Sequence, residues 1–177
     1  MSLPHAILTS LLERPCTGAE LARRFDKSIG HFWQATHQQI YRALGALEAG
    51  GLIAARDQAT ARGSQRHYDV QPAGRAELER WTAVEAPPRP IRDELLVRVR
   101  AAAALGTVDM AAEIRRQQRL HATALQRYRD IEARDFPADG VPAGRQLELQ
   151  HAVLRAGILF EEAWLAWCAE TLATVRH

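Results

Sequence analysis

Residues 36–53, THQQIYRALGALEAGGLI, permit few folds. Thr36 with Gln39 three residues later is a capping box, in which each side chain satisfies an orphan N–H of the other at a helix start. Ile40, Leu44 and Leu47 recur at helical spacing, the latter two within about 40 degrees of Ile40 around the axis. Gly50 and Gly51 stop the helix, because glycine accepts the left-handed backbone that commonly ends one. Leu52 and Ile53 then open a strand-like run. The spacing predicts a helix that buries one stripe and turns at once into a strand, leaving its far face free.

The flanking pattern extends this. LPHAILTSLLE (3–13) predicts a short helix stopped by Pro15. Thr17 and Glu20 form a second capping box, and Leu21, Ala22 and Phe25 give the next helix its apolar stripe. LIAARD (52–57) and RHYDV (66–70) read as strands joined by a polar, glycine-containing loop, QATARGSQ. Pro72 suits the first position of a fourth helix that runs to about Val84. Three helices, two strands and a helix make the order of a winged helix-turn-helix unit, spanning residues 1–85. APPRP (86–90) marks a boundary.

A helical segment, 91–177, follows. It holds helices over 92–105, 109–134 and 145–175. On the second, Ile114, Leu125 and Ile131 are sparse, and Tyr128 with its acidic neighbours reads as solvated surface. On the third, Leu147, Leu154, Ile158, Leu165, Cys168 and Leu172 recur at spacings of three, four and seven. Stripes of this length need a partner. The segment could fold back on the winged unit or pair with a second copy, and a homodimer is the expected outcome. The fold class is mainly α with a small β wing: a winged helix-turn-helix plus a C-terminal helical dimerisation domain.

With Ile40 inward, Gln38, Arg42 and Ala49 point away from the core, flanked by Tyr41 and Gly45. An amide can pair with adenine, an arginine with guanine or phosphate, and a phenol with a phosphate oxygen. Thr36 and His37 sit at the helix N-terminus, where free N–H groups favour anions. Many ordinary helices carry a polar face. The wing adds Arg62, Gly63 and Arg66, with Arg56 nearby and no acid in TARGSQRH. Helix and wing together favour double-stranded DNA. The alternatives are a winged-helix module that binds protein without sequence-specific DNA binding, and a purely structural dimer.

Composition limits the rest. The net charge is +2, with ten Lys/Arg against eight Asp/Glu in the first 80 residues, so any basic footprint is local. Lys27 is the only lysine; arginine suits bidentate contacts, though GC-rich coding gives the same bias. Cys16 and Cys168 stand far apart and read as free thiols in a cytoplasmic protein. No export signal and no span of about 18 apolar residues is present, so no membrane partner is expected. The histidines make no metal motif: His31 and His37 lack a cysteine partner, and His121 and His151 stand alone. No phosphate-cradling glycine loop or nucleophile elbow occurs, so neither an enzyme nor a cofactor is expected.

FWQATHQQIYRALGALEAGGLI (32–53) and RHYDVQPAGRAELERW (66–81) resemble the PadR family of transcriptional regulators, as RDELLVRV (92–99) and EEAWLAWCAE (161–170) do more loosely. Where members often carry Leu-Thr before the Ala-Gly pair, this chain has Gln71 and Pro72, and proline preserves the helix start. The resemblance implies a winged-helix DNA binder, usually a repressor and homodimer, acting on an inverted-repeat operator. It places DNA contacts at Thr36, Gln38, Gln39, Tyr41, Arg42, Arg62, Gly63 and Arg66. It also implies release by a small aromatic or phenolic effector, for which Trp164 and Trp167, with Ile7, Leu8 and Leu11 opposite, are the expected lining. Trp33 and Trp81 are expected to pack structurally.

Overall fold

The computed structural model describes residues 3–27, 35–60, 63–88, 90–137 and 144–175. The chain divides into two units, Met1–Pro88 and Arg89–His177. The first contains α1 (Leu3–Glu13), β1 (Cys16–Thr17), α2 (Gly18–Lys27), α3 (His37–Ala49), β2 (Ile53–Thr60), β3 (Gly63–Val70) and α4 (Pro72–Thr82). The antiparallel sheet has the order β1-β3-β2.

Both capping boxes form. Thr17 N–H donates to Glu20 Oε2 at 2.9 Å, and Glu20 N–H donates to Thr17 Oγ1 at 3.2 Å. Thr36 N–H donates to Gln39 Oε1 at 2.9 Å, and Gln39 N–H donates to Thr36 Oγ1 at 3.2 Å. Gly51 carries the left-handed turn after α3, at φ 69°. The Leu52 N–H then donates to the Leu47 carbonyl at 2.9 Å, closing the helix end onto the start of β2.

The first core is built from Ile7, Leu8 and Leu11 of α1, Leu21 and Phe25 of α2, Ile40, Leu44 and Leu47 of α3, and Ile53, Tyr68 and Leu78. Each fully enclosed large side chain is worth about 1.5–3 kcal/mol before conformational entropy is charged against it. Gly74 brings α4 against the strand start. A Cβ there would lie 2.3 Å from the Leu52 carbonyl oxygen, which is backbone and cannot yield. That same carbonyl accepts from Gln71 N–H at 3.0 Å. Trp81 has its structural role: its ring stacks on His5 at 4.4 Å, while His5 Nε2 meets Glu77 Oε1 at 2.9 Å.

Two features of the sheet differ from the sequence reading. β1 pairs Cys16 with Tyr68 and Thr17 with His67, a two-residue strand just ahead of α2. The wing strands also continue past the expected loop, with Thr60 paired to Gly63. The sequence of this outer end lacks the apolar alternation that signals a half-buried strand.

The second unit contains α5 (Glu94–Leu105), α6 (Ala111–Asp135) and α7 (Arg145–Thr174). Asp93 caps α5, accepting from Leu95 N–H at 2.7 Å, and Gly106 ends it at φ 67°. α6 and α7 run antiparallel, since His121 meets Glu161 and, further along α6, Glu132 meets His151. One core joins Leu95, Met110, Ala111 and Ile114 to Cys168 and Leu172; the other joins Leu125 and Tyr128 to Leu154 and Ile158, so the α7 stripe expected to meet a second copy is buried instead against α5 and α6 of the same chain. Tyr128 is thus core and not solvated surface. Its hydroxyl has its pKa raised by burial and by the Glu161 carboxylate. His121 and His151 are not solitary: each pairs with a glutamate and stacks on an aromatic ring, Trp164 and Phe136 respectively.

Two glycines should answer in opposite directions. Gly45→Ala adds a Cβ to open space on α3 and should stabilise by about 0.5–1 kcal/mol. Gly74→Ala must displace backbone and should destabilise by about 1–3 kcal/mol. Urea unfolding of both variants checks the pair.

Acid should also loosen the protein. Hydrogen bonds from Arg80 and then His5 hold the Glu77 pKa at about 2, against an ordinary 4.5. A depressed folded pKa gives stability that is complete above 4.5 and is lost as pH falls toward 2. The thermal midpoint should therefore drop over that window, and drop less steeply in Glu77→Gln.

Candidate nucleic-acid interface

Ile40, Leu44 and Leu47 face the core, so α3 presents its other side outward. His37, Gln38, Tyr41, Arg42, Gly45 and Ala49 are exposed. No ion pair forms at Arg42 among the described residues, and its guanidinium is free to meet an anion. Gln38 has no packing duty. Gly45 leaves open space above the helix, with nothing within 4 Å of where a Cβ would stand.

The remaining side chains divide by what already holds them. Thr36 and Gln39 are engaged with each other in the cap. Gln39 therefore acts first as a helix-starting residue, and contact with a ligand would compete with that role. Tyr41 is 49% exposed and rests on Gly18, where a Cβ would lie 2.7 Å from ring atom Cε1. Its ring borders a polar hollow of 480 Å³ together with Thr17, Arg23, Gln65, Arg66 and Tyr68. This hollow joins the start of α2, the side of α3 and the wing. Glu20 also lines it, its carboxyl held below the usual range by the Thr17 N–H.

The wing is less freely cationic than its sequence suggests. Arg66 Nη2 lies 2.7 Å from Glu48 Oε1 on α3, and its guanidinium sits 5.8 Å from the Tyr68 ring centroid. Arg56 makes a two-point contact with Asp69, at 2.7 and 2.6 Å. Neither acid was visible as a partner in sequence, because both pairings depend on strand register and on where α3 ends. Gly63 opens β3 opposite Thr60. Arg62, Trp33 and His31 lie outside the described residues.

The expected effector lining is divided. Ile7, Leu8 and Leu11 are fully enclosed in the first core and present no surface to a ligand. Trp164 and Trp167 belong to the second unit. There they border an apolar hollow of 550 Å³ with Ile91, Leu96, Phe160 and Ala163, and Arg92 and Asp93 at its polar edge. Phe160 is the residue that sequence reading passed over. It lies seven residues before Trp167 and four before Trp164, a spacing that puts all three near one side of α7. Among the described residues no three His, Cys, Asp or Glu side chains converge as a metal site would require, and no helix is long and apolar enough to cross a membrane.

A third helix held by its inner stripe, with a paired β wing beside it, defines a winged helix-turn-helix protein. Comparisons with known proteins give its kinship. The model of the PadR-like transcriptional regulator family matches residues 7–80, and the model described as the virulence activator alpha C-terminal region matches residues 91–176. A "Probable transcriptional regulator" of Mycobacterium tuberculosis is 40% identical, over 100% of this chain and 99% of its own. The structure of the Vibrio cholerae virulence activator AphA is 30% identical and superposes with a TM-score of 0.79, covering 99% of this chain and 98% of that one. The negative transcriptional regulator PadR of Bacillus subtilis is 31% identical over 54% of each chain. Bacillus subtilis PadR in complex with operator DNA has the same fold, with a TM-score of 0.85 at 23% identity over 97% of both chains. Its complex with p-coumaric acid gives 0.79 at 22% identity, over 99% of this chain and 96% of that one. The chain belongs to the PadR-like family of transcriptional regulators.

The α3 cap supplies a direct check on the local geometry. Thr36→Ala removes the acceptor of the Gln39 N–H and should cost about 1 kcal/mol of unfolding free energy. Denaturant unfolding measures it, and the loss should appear without a change in m-value.

Proposed function

We propose that the protein is a homodimeric transcriptional repressor whose α3 helices enter successive major grooves of an inverted-repeat operator. The observation that carries this reading is the outward face of α3, where Gln38 and Arg42 are exposed and neither packs the core. Gln38 and Arg42 read base edges; His37, Tyr41 and the wing residues Arg62, Gly63 and Arg66 position the backbone. Thr36 and Gln39 set the start of the helix. Residues 1–85 act as the DNA-binding domain and residues 91–177 as the dimerisation and sensing domain.

Dimerisation has support in a second stripe on α7. Leu149, Val153, Ala156, Phe160, Ala163 and Trp167 recur at alternating spacings of four and three, apart from the buried stripe of Leu154, Ile158, Cys168 and Leu172. Leu149, Val153 and Phe160 are each more than half exposed in the single chain. This is the a/d spacing by which one helix packs on another. Residues at its C-terminal end also border the 550 Å³ hollow, which suits a small aromatic or phenolic effector. Binding there would release DNA only by favouring the released arrangement over the bound one.

A second reading, activation, is supported by the virulence activator model across residues 91–176. A reporter driven by a bound promoter separates the two: repression lowers its output relative to a deletion strain, and activation raises it.

Binding to the duplex upstream of the protein's own gene tests the main reading. Gln38→Ala should reduce discrimination at one base pair by about 1–3 kcal/mol, while Val153→Asp should give monomers in sedimentation and weaken operator binding. Equal affinity of the wild type for operator and scrambled duplexes would favour the protein-interaction module instead.

A further inference from the structure

We infer that Glu48 is a specificity-determining residue, a carboxylate on α3 that occupies the wing's Arg66 and makes any DNA phosphate compete for it. The inference rests on the DNA-binding reading above. Arg66 Nη2 and Glu48 Oε1 are 2.7 Å apart, and their side chains are 56% and 32% exposed. The pair is therefore open to exchange and is not locked in a core. Arg66 projects from β3 into the same hollow that Tyr41 and Arg23 border, the side of the unit from which α3 presents its reading face. Asp57 is its cross-strand neighbour, and the Tyr68 ring lies beneath the guanidinium.

An unpaired arginine at this place would bind every phosphate alike and add affinity without sequence information. With Glu48 in place, a phosphate oxygen must replace a carboxylate oxygen of the same charge. Glu48 is then released beside a polyanion. The gain from one more phosphate contact is nearly cancelled by the lost pair and the new repulsion. Base contacts from Gln38 and Arg42 are left to decide where the protein stays. Glu48 is on α3 and Arg66 on the wing, so the exchange also breaks this side-chain link between the wing and the reading helix.

The alternative is a strut. If Glu48 served only to hold the wing in place, removing its charge would loosen the site and weaken binding. The experiment uses the full chain and a mixed-sequence duplex over a salt series. Glu48→Gln should bind that duplex roughly two- to fivefold more tightly, the range set by an exposed ion pair. The slope of log affinity against log salt should steepen by about 0.9, one phosphate contact. Arg66→Ala should bind more weakly than Glu48→Gln, and the double variant should match Arg66→Ala. Glu48→Ala repeats the test if the amide variant melts early. Weaker or unchanged binding by the Glu48 variants overturns the inference. So does a gain that persists without Arg66, which would reflect only the loss of a nearby negative charge. If Arg66→Ala binds the duplex as tightly as Glu48→Gln while the wild type binds, the inference fails and the DNA-binding reading stands. Failure of the wild type to bind any duplex removes both.

Discussion

Ile40, Leu44 and Leu47 are almost wholly removed from water, and they hold α3 by one side only. Everything proposed for the first unit depends on that one-sided grip. It fixes which residues face inward, and so leaves Gln38 and Arg42 outside. A slip by one residue would turn each of them by about 100 degrees and hide the reading face. The cap at Thr36 and the turn at Gly51 fix where the helix begins and ends, which prevents such a slip. The close approach of Gly74 to the Leu52 carbonyl then ties the exit of the helix to α4.

Charge is distributed with similar economy. The chain's net charge is small, and several of its arginines are already paired within the first unit. Arg42 is exposed without an ion-pair partner among the described residues. A protein arranged this way gains little from indiscriminate attraction to a polyanion, and the base contacts proposed for Gln38 and Arg42 would carry more of the burden. The second unit divides its surface differently. α7 uses one stripe for its own core and carries a second whose Leu149, Val153 and Phe160 stay more than half exposed in a single chain, while its Trp167 also packs against the core of the unit.

Elements fixed by local chemistry were legible in the sequence. The two capping boxes, the α3 stripe, the glycine stop and the order of helices and strands all follow from spacing and residue type, and the structure has each of them. What depends on partners distant in sequence was not legible. β1 is two residues long and exists only because β3 passes beside it. The outer half of the wing pairs through backbone groups that carry no side-chain signature. Tyr128 looked like a surface group, and His121 and His151 looked solitary, because their partners, Leu154, Glu161 and Glu132, lie on the opposite helix and arrive only when α6 meets α7. In the site, the outward face of α3 could be read from periodicity. The engagement of Gln39, Arg56 and Arg66 could not, since each is set by a cap, a register or a neighbouring helix end. Ile7, Leu8 and Leu11 were apolar enough for a ligand wall, but their spacing equally describes the core stripe they form.

The central claim is that two copies of α3 read one duplex together. Hydroxyl-radical footprinting on the DNA upstream of the protein's own gene tests it most directly. Two protected half-sites of related, inverted sequence, with centres about 34 Å or a multiple of it apart along one face of the duplex, are the expected result. Uniform protection without sequence preference, or a single unpaired half-site protected at full occupancy, would contradict it.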